Sequence, residues 1–209
     1  MAELRTGASS FLTLAGEGTG TYRDKASKFI GYAFPISDEI AFKARLAELM
    51  KEHFDARHHC YAYVLGNDGA VHRNSDAGEP SGTAGKPILR HLQGRSLTYA
   101  AAVVVRWFGG TLLGKGGLVH AYGEAACKAL DSAGVIERNV MVHRNIICTY
   151  AQLENVKTTI ARNHGALISG TYNEACSLQA TIPIACMVEL DEHWRRMGIA
   201  CTPIDVQPK

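Results

Sequence analysis

The sequence lacks any long apolar run: no stretch approaches the ~18–20 uninterrupted apolar residues of a membrane-spanning helix. The opening residues Met1-Ala2-Glu3-Leu4-Arg5 lack the basic and apolar regions of a secretory signal, and Phe11-Leu12-Thr13-Leu14-Ala15 is too short and too polar to supply one. A cytoplasmic protein is therefore expected. The six cysteines, Cys60, Cys127, Cys148, Cys176, Cys186 and Cys201, include no CxxC pair and sit among hydrophobic residues, which predicts buried free thiols in a reducing compartment. Although His53, His58, His59 and Cys60 crowd together, the paired spacings of a zinc site are missing. A strand over His59–Leu65 would turn His58 and His59 to opposite faces. Neither a metal nor a cofactor is expected. No Ser-His-Asp or Cys-His arrangement has a placement fixed by the sequence, so catalysis is left open. An excess of one charge sign is also missing: the net charge is +2 and the pI 8.2, below the pI of about 9 at which a whole domain carries a nucleic-acid footprint.

What is present belongs to a soluble globular chain, with 46% hydrophobic and 20% charged residues. At 209 residues it can form two small domains, each with its own core. The most informative stretch is Gly109-Gly110-Thr111-Leu112-Leu113-Gly114-Lys115-Gly116-Gly117, which follows the apolar run Ala101–Val105 and precedes an Ala-rich helical pattern. A strand, a glycine turn and a helix N-terminus can cradle an anion on backbone N–H groups. The match to a nucleotide P-loop fails, because Gly116 stands where the magnesium-binding Ser or Thr belongs. The alternative is that the glycines only permit positive φ and close packing.

A second glycine-rich loop, Asp76-Ala77-Gly78-Glu79-Pro80-Ser81-Gly82-Thr83-Ala84-Gly85-Lys86-Pro87, opens the helical pattern Ile88, Leu89, Leu92. Between Gly78 and His120, Lys86, Arg90, Arg95, Arg106 and Lys115 face the single acid Glu79, a local net charge of +4. This cluster, and not the whole-chain charge, is what points to a polyanionic partner.

Along the chain, strands are predicted at Phe11–Leu14 and Phe29–Phe34 as a hairpin across the turn-rich Gly16–Gly20. A helix capped by Ser37 or Asp38 carries Phe42, Leu46, Leu49 and Met50 on one face and ends near His53. A strand around Tyr61, a turn at Asn67-Asp68-Gly69 and a long shaped loop from His72 to Thr83 follow. A short helix then runs to Gln93, a buried strand passes through Val103, and a helix spans about Gly117 to Ser132 with Gly134 as its cap. Beyond Arg138 the order becomes β-α-β-β-α-β, the split βαβ pattern of a ferredoxin-like domain. Its third strand places Leu178, Ala180, Ile182 and Ile184 on one face. Tyr150, Tyr172 and Trp194 are its only large ring-bearing platforms, with no run suited to stacking RNA bases. The predicted domains are 1–138 and 139–209, and the fold class is α+β.

Ser27-Lys28-Phe29-Ile30-Gly31, His59-Cys60-Tyr61-Ala62, the loop Gly78–Pro87 and the segment Val103–Leu118 together resemble the IMPACT family, in its bacterial YigZ branch. The resemblance is strong from about Phe11 to Leu130, and rests on pattern alone in the C-terminal part. Three positions depart from the family's usual residues: Ala77 replaces a second Asp, Trp107 a Tyr, and His120 a basic residue. Without the acid at Ala77, Asp76 and Glu79 make a poor cage for a hard cation. The resemblance implies an N-terminal α/β sandwich like the second domain of ribosomal small-subunit protein five and a C-terminal domain like the last of elongation factor G. Its eukaryotic members are tied to control of translation under amino-acid starvation, through contacts that restrain an initiation-factor kinase.

Three functional expectations follow. The first is a translation-associated binding protein that contacts RNA or a ribosome-linked partner. The contacts would come from Gly78, Glu79, Pro80, Ser81, Gly82, Thr83 and Gly85 of one loop, Phe108, Gly109, Gly110, Gly114, Gly116 and Gly117 of the other, and the basic Lys86, Arg90, Arg106 and Lys115. The second is an enzyme or binder of a phosphorylated or nucleotide-like ligand at Gly109–Gly117, with Ser81, Thr83 or Glu79 as its polar groups. The third is a protein-interaction module anchored by Trp107, Phe108 and Tyr122. The oligomeric state is not readable from the sequence.

Overall fold

A computed structural model describes residues 9–204 and shows a mixed α+β chain that divides into two compact units, the first ending at Arg138 and the second beginning at Asn139. In the first unit, β2 (Gly18–Asp24), β3 (Ser27–Pro35), β6 (Ala100–Trp107), β4 (His58–Leu65) and β5 (Val71–Ser75) lie in that order in one antiparallel sheet. Helix α1 (Glu39–Glu52) covers one face, and α2 (Gly85–Gly94) and α3 (Gly114–Ala133) cover the other. A two-stranded pair, β1 (Ser10–Leu14) and β7 (Val135–Asn139), completes it.

Strand β6 lies in the middle of the sheet with both faces covered, which is why Ala101–Val105 reads as an unbroken apolar run. Its parity sorts the side chains. Ala101, Val103 and Val105 enter the α1 core with Phe34, Phe42 and Leu49, while Ala100, Ala102 and Val104 enter the α2/α3 core with Leu14, Phe29, Ile88 and Leu130. The next two residues inherit that alternation: Arg106 points to the α2/α3 side and Trp107 to the α1 side.

Several expectations are corrected. Phe11–Leu14 does not form a hairpin with the strand at Phe29, because the glycine-rich segment between them is itself largely a strand, β2, and it is β2 that pairs with β3. Those glycines serve close approach. An added Cβ would meet the α3 backbone at 2.2 Å from Gly18, 2.5 Å from Gly20 and 2.3 Å from Gly31. The segment from His72 to Thr83 is not all loop either, since β5 runs to Ser75 along the sheet edge, with the exposed residues of an edge strand. In α1, Asp38 is the cap, its carboxylate accepting from Ala41 N–H, but Met50 is exposed and only Phe42 and Leu49 are buried. Cys127, Cys186 and Cys201 are only partly buried, unlike Cys60, Cys148 and Cys176.

The second unit runs β8 (Met141–Cys148), α4 (Tyr150–Arg162), β9 (Ala166–Tyr172), β10 (Cys176–Pro183), α5 (Met187–Arg196) and β11 (Ala200–Pro203). Its antiparallel sheet has the order β11-β8-β10-β9, so β10 separates the two strands joined through α4. Ile146, Val156, Ile160, Leu178, Ile182 and Trp194 form its core. Ile184 starts a short 3-10 turn in place of extending β10, and the buried Trp194 is no stacking platform.

Candidate functional site

The loop between β5 and α2 is organised by one side chain. The Asp76 carboxylate accepts from the Gly82 N–H at 2.8 Å, Ala84 N–H at 2.9 Å and Gly85 N–H at 2.8 Å. Partial burial acts to raise its pKa, but these three N–H groups and the nearby Lys86 outweigh it and hold the carboxyl below the usual range. The α2 N-terminus is thus capped by an acid eight residues before its N-cap position, Ala84, whose own side chain offers nothing. Thr83 is buried, its hydroxyl donating to Pro80 O at 2.6 Å. Ala77, Gly78 and Gly82 have φ of +43°, +86° and +77°, and an added Cβ at Gly85 would meet the Ser75 backbone at 2.8 Å. This loop's glycines and Thr83 are consumed in shaping it, while Pro80, Ser81 and Lys86 remain exposed.

The second loop is built differently. Gly109 is locked: its N–H donates to the Ser27 hydroxyl at 3.1 Å, and a Cβ there would overlap the Ala26–Ser27 backbone. From Gly110 onward the chain opens out. Gly110 and Gly114 take φ of +87° and +71° with nothing within 4 Å of an added Cβ. Gly116 needs neither a positive φ nor close packing, and its surroundings are equally empty. Among the described residues no side chain caps the start of helix α3, and its first turn holds no acid. Lys115 and Gly116 are exposed there, with Gly117 half-buried.

Between the two loops lies a buried polar cluster that only the fold assembles. Arg106 sits opposite Phe29 of β3 and opposite His58 of β4 in the sheet register. Its guanidinium lies 5.4 Å from the Phe29 ring and 5.5 Å from Phe108, and Nη1 donates to Glu79 Oε1 at 2.6 Å. The Tyr122 hydroxyl donates to the same oxygen at 2.8 Å. Both charged side chains are nearly inaccessible, 6% exposed for Arg106 and 4% for Glu79. His58 Nδ1 lies 2.9 Å from Ala77 O and Nε2 lies 3.8 Å from Glu79 Oε1. Burial pushes the Cys60 thiol up to about 12, so it is protonated at neutral pH and no nucleophile. Burial, with Cys60 and Glu79 beside it, drives the Tyr122 phenol upward too, which keeps it a donor.

The expected site residues are therefore divided. Lys86, Arg90 and Lys115 are exposed cations. Arg106 is a buried, paired cation and offers no free charge to a phosphate backbone. Tyr122 is core, and Trp107 is half-buried with its indole N–H on Asp55 at 2.9 Å, which leaves Phe108 as the exposed aromatic of the three. Arg57, which no sequence pattern singles out, and His58, weighed above only as a zinc ligand, line a cleft of about 250 Å³ with Glu79, Pro80, Arg106, Phe108 and Leu112. The alternation of His58 and Cys60 along β4 was the available signal, since it places His58 on the face of Arg106. Among the described residues no three His, Cys, Asp or Glu side chains converge as metal ligands would.

Residues 25–130 match the family described as Impact N-terminal domain. The IMPACT family member YigZ of Escherichia coli is 37% identical over 86% of this chain and 89% of its own length. YvyE of Bacillus subtilis is 34% identical over 79% of this chain and 76% of its own, and a family member from Haemophilus influenzae is 45% identical over 64% and 66%. A crystal structure described as that of a hypothetical protein aligns with a TM-score of 0.74 at 34% identity, over 96% of this chain and all of the other. The chain belongs to the IMPACT family.

Proposed function

We propose that the protein is a translation-associated binding protein that contacts RNA, or a ribosome-linked partner carrying it, through phosphate contacts at the start of α3 and the exposed Lys86, Arg90 and Lys115. The observation that carries this reading is the uncapped α3 N-terminus, with Lys115 in its first turn and open space around Gly110, Gly114 and Gly116. Backbone N–H groups and a lysine there suit a phosphate. We read the first unit as related to the second domain of ribosomal small-subunit protein five. The split βαβ order of the second we read as a ferredoxin-like domain akin to the last of elongation factor G. Both are folds of the translation machinery, and a cytoplasmic location accords with that role.

Phosphate contacts give affinity that falls with salt and carry little sequence information. Binding to a U-only RNA should weaken with a log–log salt slope of roughly −2 for three single-strand contacts. It should drop in Lys115→Ala and in Lys86→Ala/Arg90→Ala, with unfolding midpoints unchanged. Absence of RNA affinity at low salt would sink this reading. The cleft beside Phe108 and Leu112 favours a second one, a phosphorylated or nucleotide-like small ligand held on the same loop. A thermal shift with a nucleotide in a protein that ignores RNA would select it.

A further inference from the structure

The Glu79–Arg106 pair is sealed on the side of the core and unfinished on the side of the cleft. Both hydrogen bonds to the Glu79 carboxylate fall on Oε1, which leaves Oε2 to accept from something else. On Arg106, Nη1 is taken by Glu79 and Nε is buried without a partner, while Nη2 has no hydrogen bond among the described residues and is not buried, which leaves it as the donor toward the cleft. The Ala77 carbonyl can only accept, so His58 Nδ1 donates to it, and in the neutral tautomer that this bond selects Nε2 is an acceptor 3.8 Å from Glu79 Oε1. Phe108, 47% exposed, and Leu112, 81% exposed, form an apolar wall over this polar floor.

We propose that this cleft is a base-binding pocket that takes one unpaired guanine. The floor offers two neighbouring acceptors, Glu79 Oε2 and His58 Nε2, next to the donor Arg106. The matching ring edge has two adjacent donors and one acceptor, which guanine supplies as its 2-amino group, N1–H and O6. Adenine and cytosine would set a ring-nitrogen lone pair against the carboxylate, and uracil offers a single donor. Phe108 gives the ring a face to stack on, as aromatic side chains do for splayed-out bases. A cleft of about 250 Å³ is smaller than the ~300–1,000 Å³ of sites that enclose a whole drug-sized ligand. The base enters and the sugar and phosphate stay outside. The guanine can belong to a free nucleoside or nucleotide or to a single-stranded RNA. The inference goes beyond the phosphate contacts proposed above and does not need them.

The test uses the full chain and separates the two. Guanosine, adenosine, cytidine and uridine, which lack phosphate, are titrated by ligand-observed NMR, and a U-only octamer is compared with the same octamer carrying one G. Guanosine should bind on the order of 10-fold tighter than the other three, and Phe108→Ala should lower that affinity by on the order of 10-fold. Glu79→Gln should flatten the preference, and if that variant unfolds, the wild-type preference and the half-exposed Phe108→Ala still decide. A gain from the single G places the base in RNA. Guanosine binding without RNA binding places it in a free nucleoside or nucleotide, upholding the pocket while ending the RNA reading. Octamers that bind equally, with no guanosine bound, overturn the pocket and leave the phosphate contacts standing; equal affinity for all four nucleosides overturns it as well.

Discussion

Two glycine-rich loops each end at a helix N-terminus in the first unit, and they look alike in sequence, yet one is filled and the other is open. At the start of α2 the Ala84 and Gly85 N–H groups are taken by Asp76 from within the chain. At α3 no side chain caps the helix and no acid stands in the first turn. An α-helix leaves its first N–H groups without internal partners, so they must find a side chain, water or a ligand. The chain solves that problem itself at α2 and leaves it to the surroundings at α3. Glycine content alone therefore says little about function. What distinguishes the loops is whether a carboxylate of the protein occupies the cradle.

The largest effect should come from the pair that ties the filled loop to the sheet. Glu79→Ala strands Arg106 as a buried unpaired charge, and should cost about 3–5 kcal/mol in denaturant unfolding. Replacing both partners, Glu79→Leu with Arg106→Met, should cost much less, because an apolar pair leaves no charge to solvate. If the single and double variants are equally destabilised, the two charges do not depend on each other and the loop is held by other contacts.

Next in size is Asp76 itself. Asp76→Ala removes the acceptor for three N–H groups and should cost about 2–3 kcal/mol. The folded pKa of Asp76 is depressed, so its contribution is complete above the unfolded carboxyl range near 3.9 and is lost as pH falls through the lower folded value. Acid unfolding of Asp76→Asn should lack that part of the slope. No such acid-dependent contribution exists at the start of α3, where there is no acid to protonate.

Much of the fold is legible in the sequence. The Asp38 cap, the apolar face of α1 at Phe42 and Leu49, the buried β6 and the stop at Gly134 all follow from local rules of capping and periodicity, and local rules need only neighbours in sequence. The failures are non-local. Gly18 and Gly20 look like turn residues, but their lack of side chains answers to α3, more than a hundred residues away. Asp76 reads only as half of a poor cation cage, and the N–H groups it binds lie six to nine residues on. Arg106 counts toward a basic cluster by composition, yet its neighbours across the sheet bury it against Phe29 and Glu79. The cleft below Phe108 joins a loop, a strand end and a neighbouring strand, and no local pattern brings His58 to Glu79.

The smallest effect gives the sharpest contrast, because the same change can be made in both helices. Gly85 and Gly116 each lie in a first turn, but an added Cβ at Gly85 meets the Ser75 backbone at 2.8 Å, whereas at Gly116 it meets nothing. Gly85→Ala should therefore destabilise by about 1–3 kcal/mol, as overpacking does. Gly116→Ala should stabilise by about 0.5–1 kcal/mol, because alanine loses less chain entropy in a helix and no clash opposes it. A gain of stability at Gly116 accompanied by weaker RNA binding would mean that the missing side chain keeps the N–H groups within reach of a phosphate at the expense of a firmer helix. A gain in stability with RNA binding unchanged would show that the space around Gly116 is not where the partner sits, and would move the contacts to Lys86 and Arg90 on the neighbouring helix.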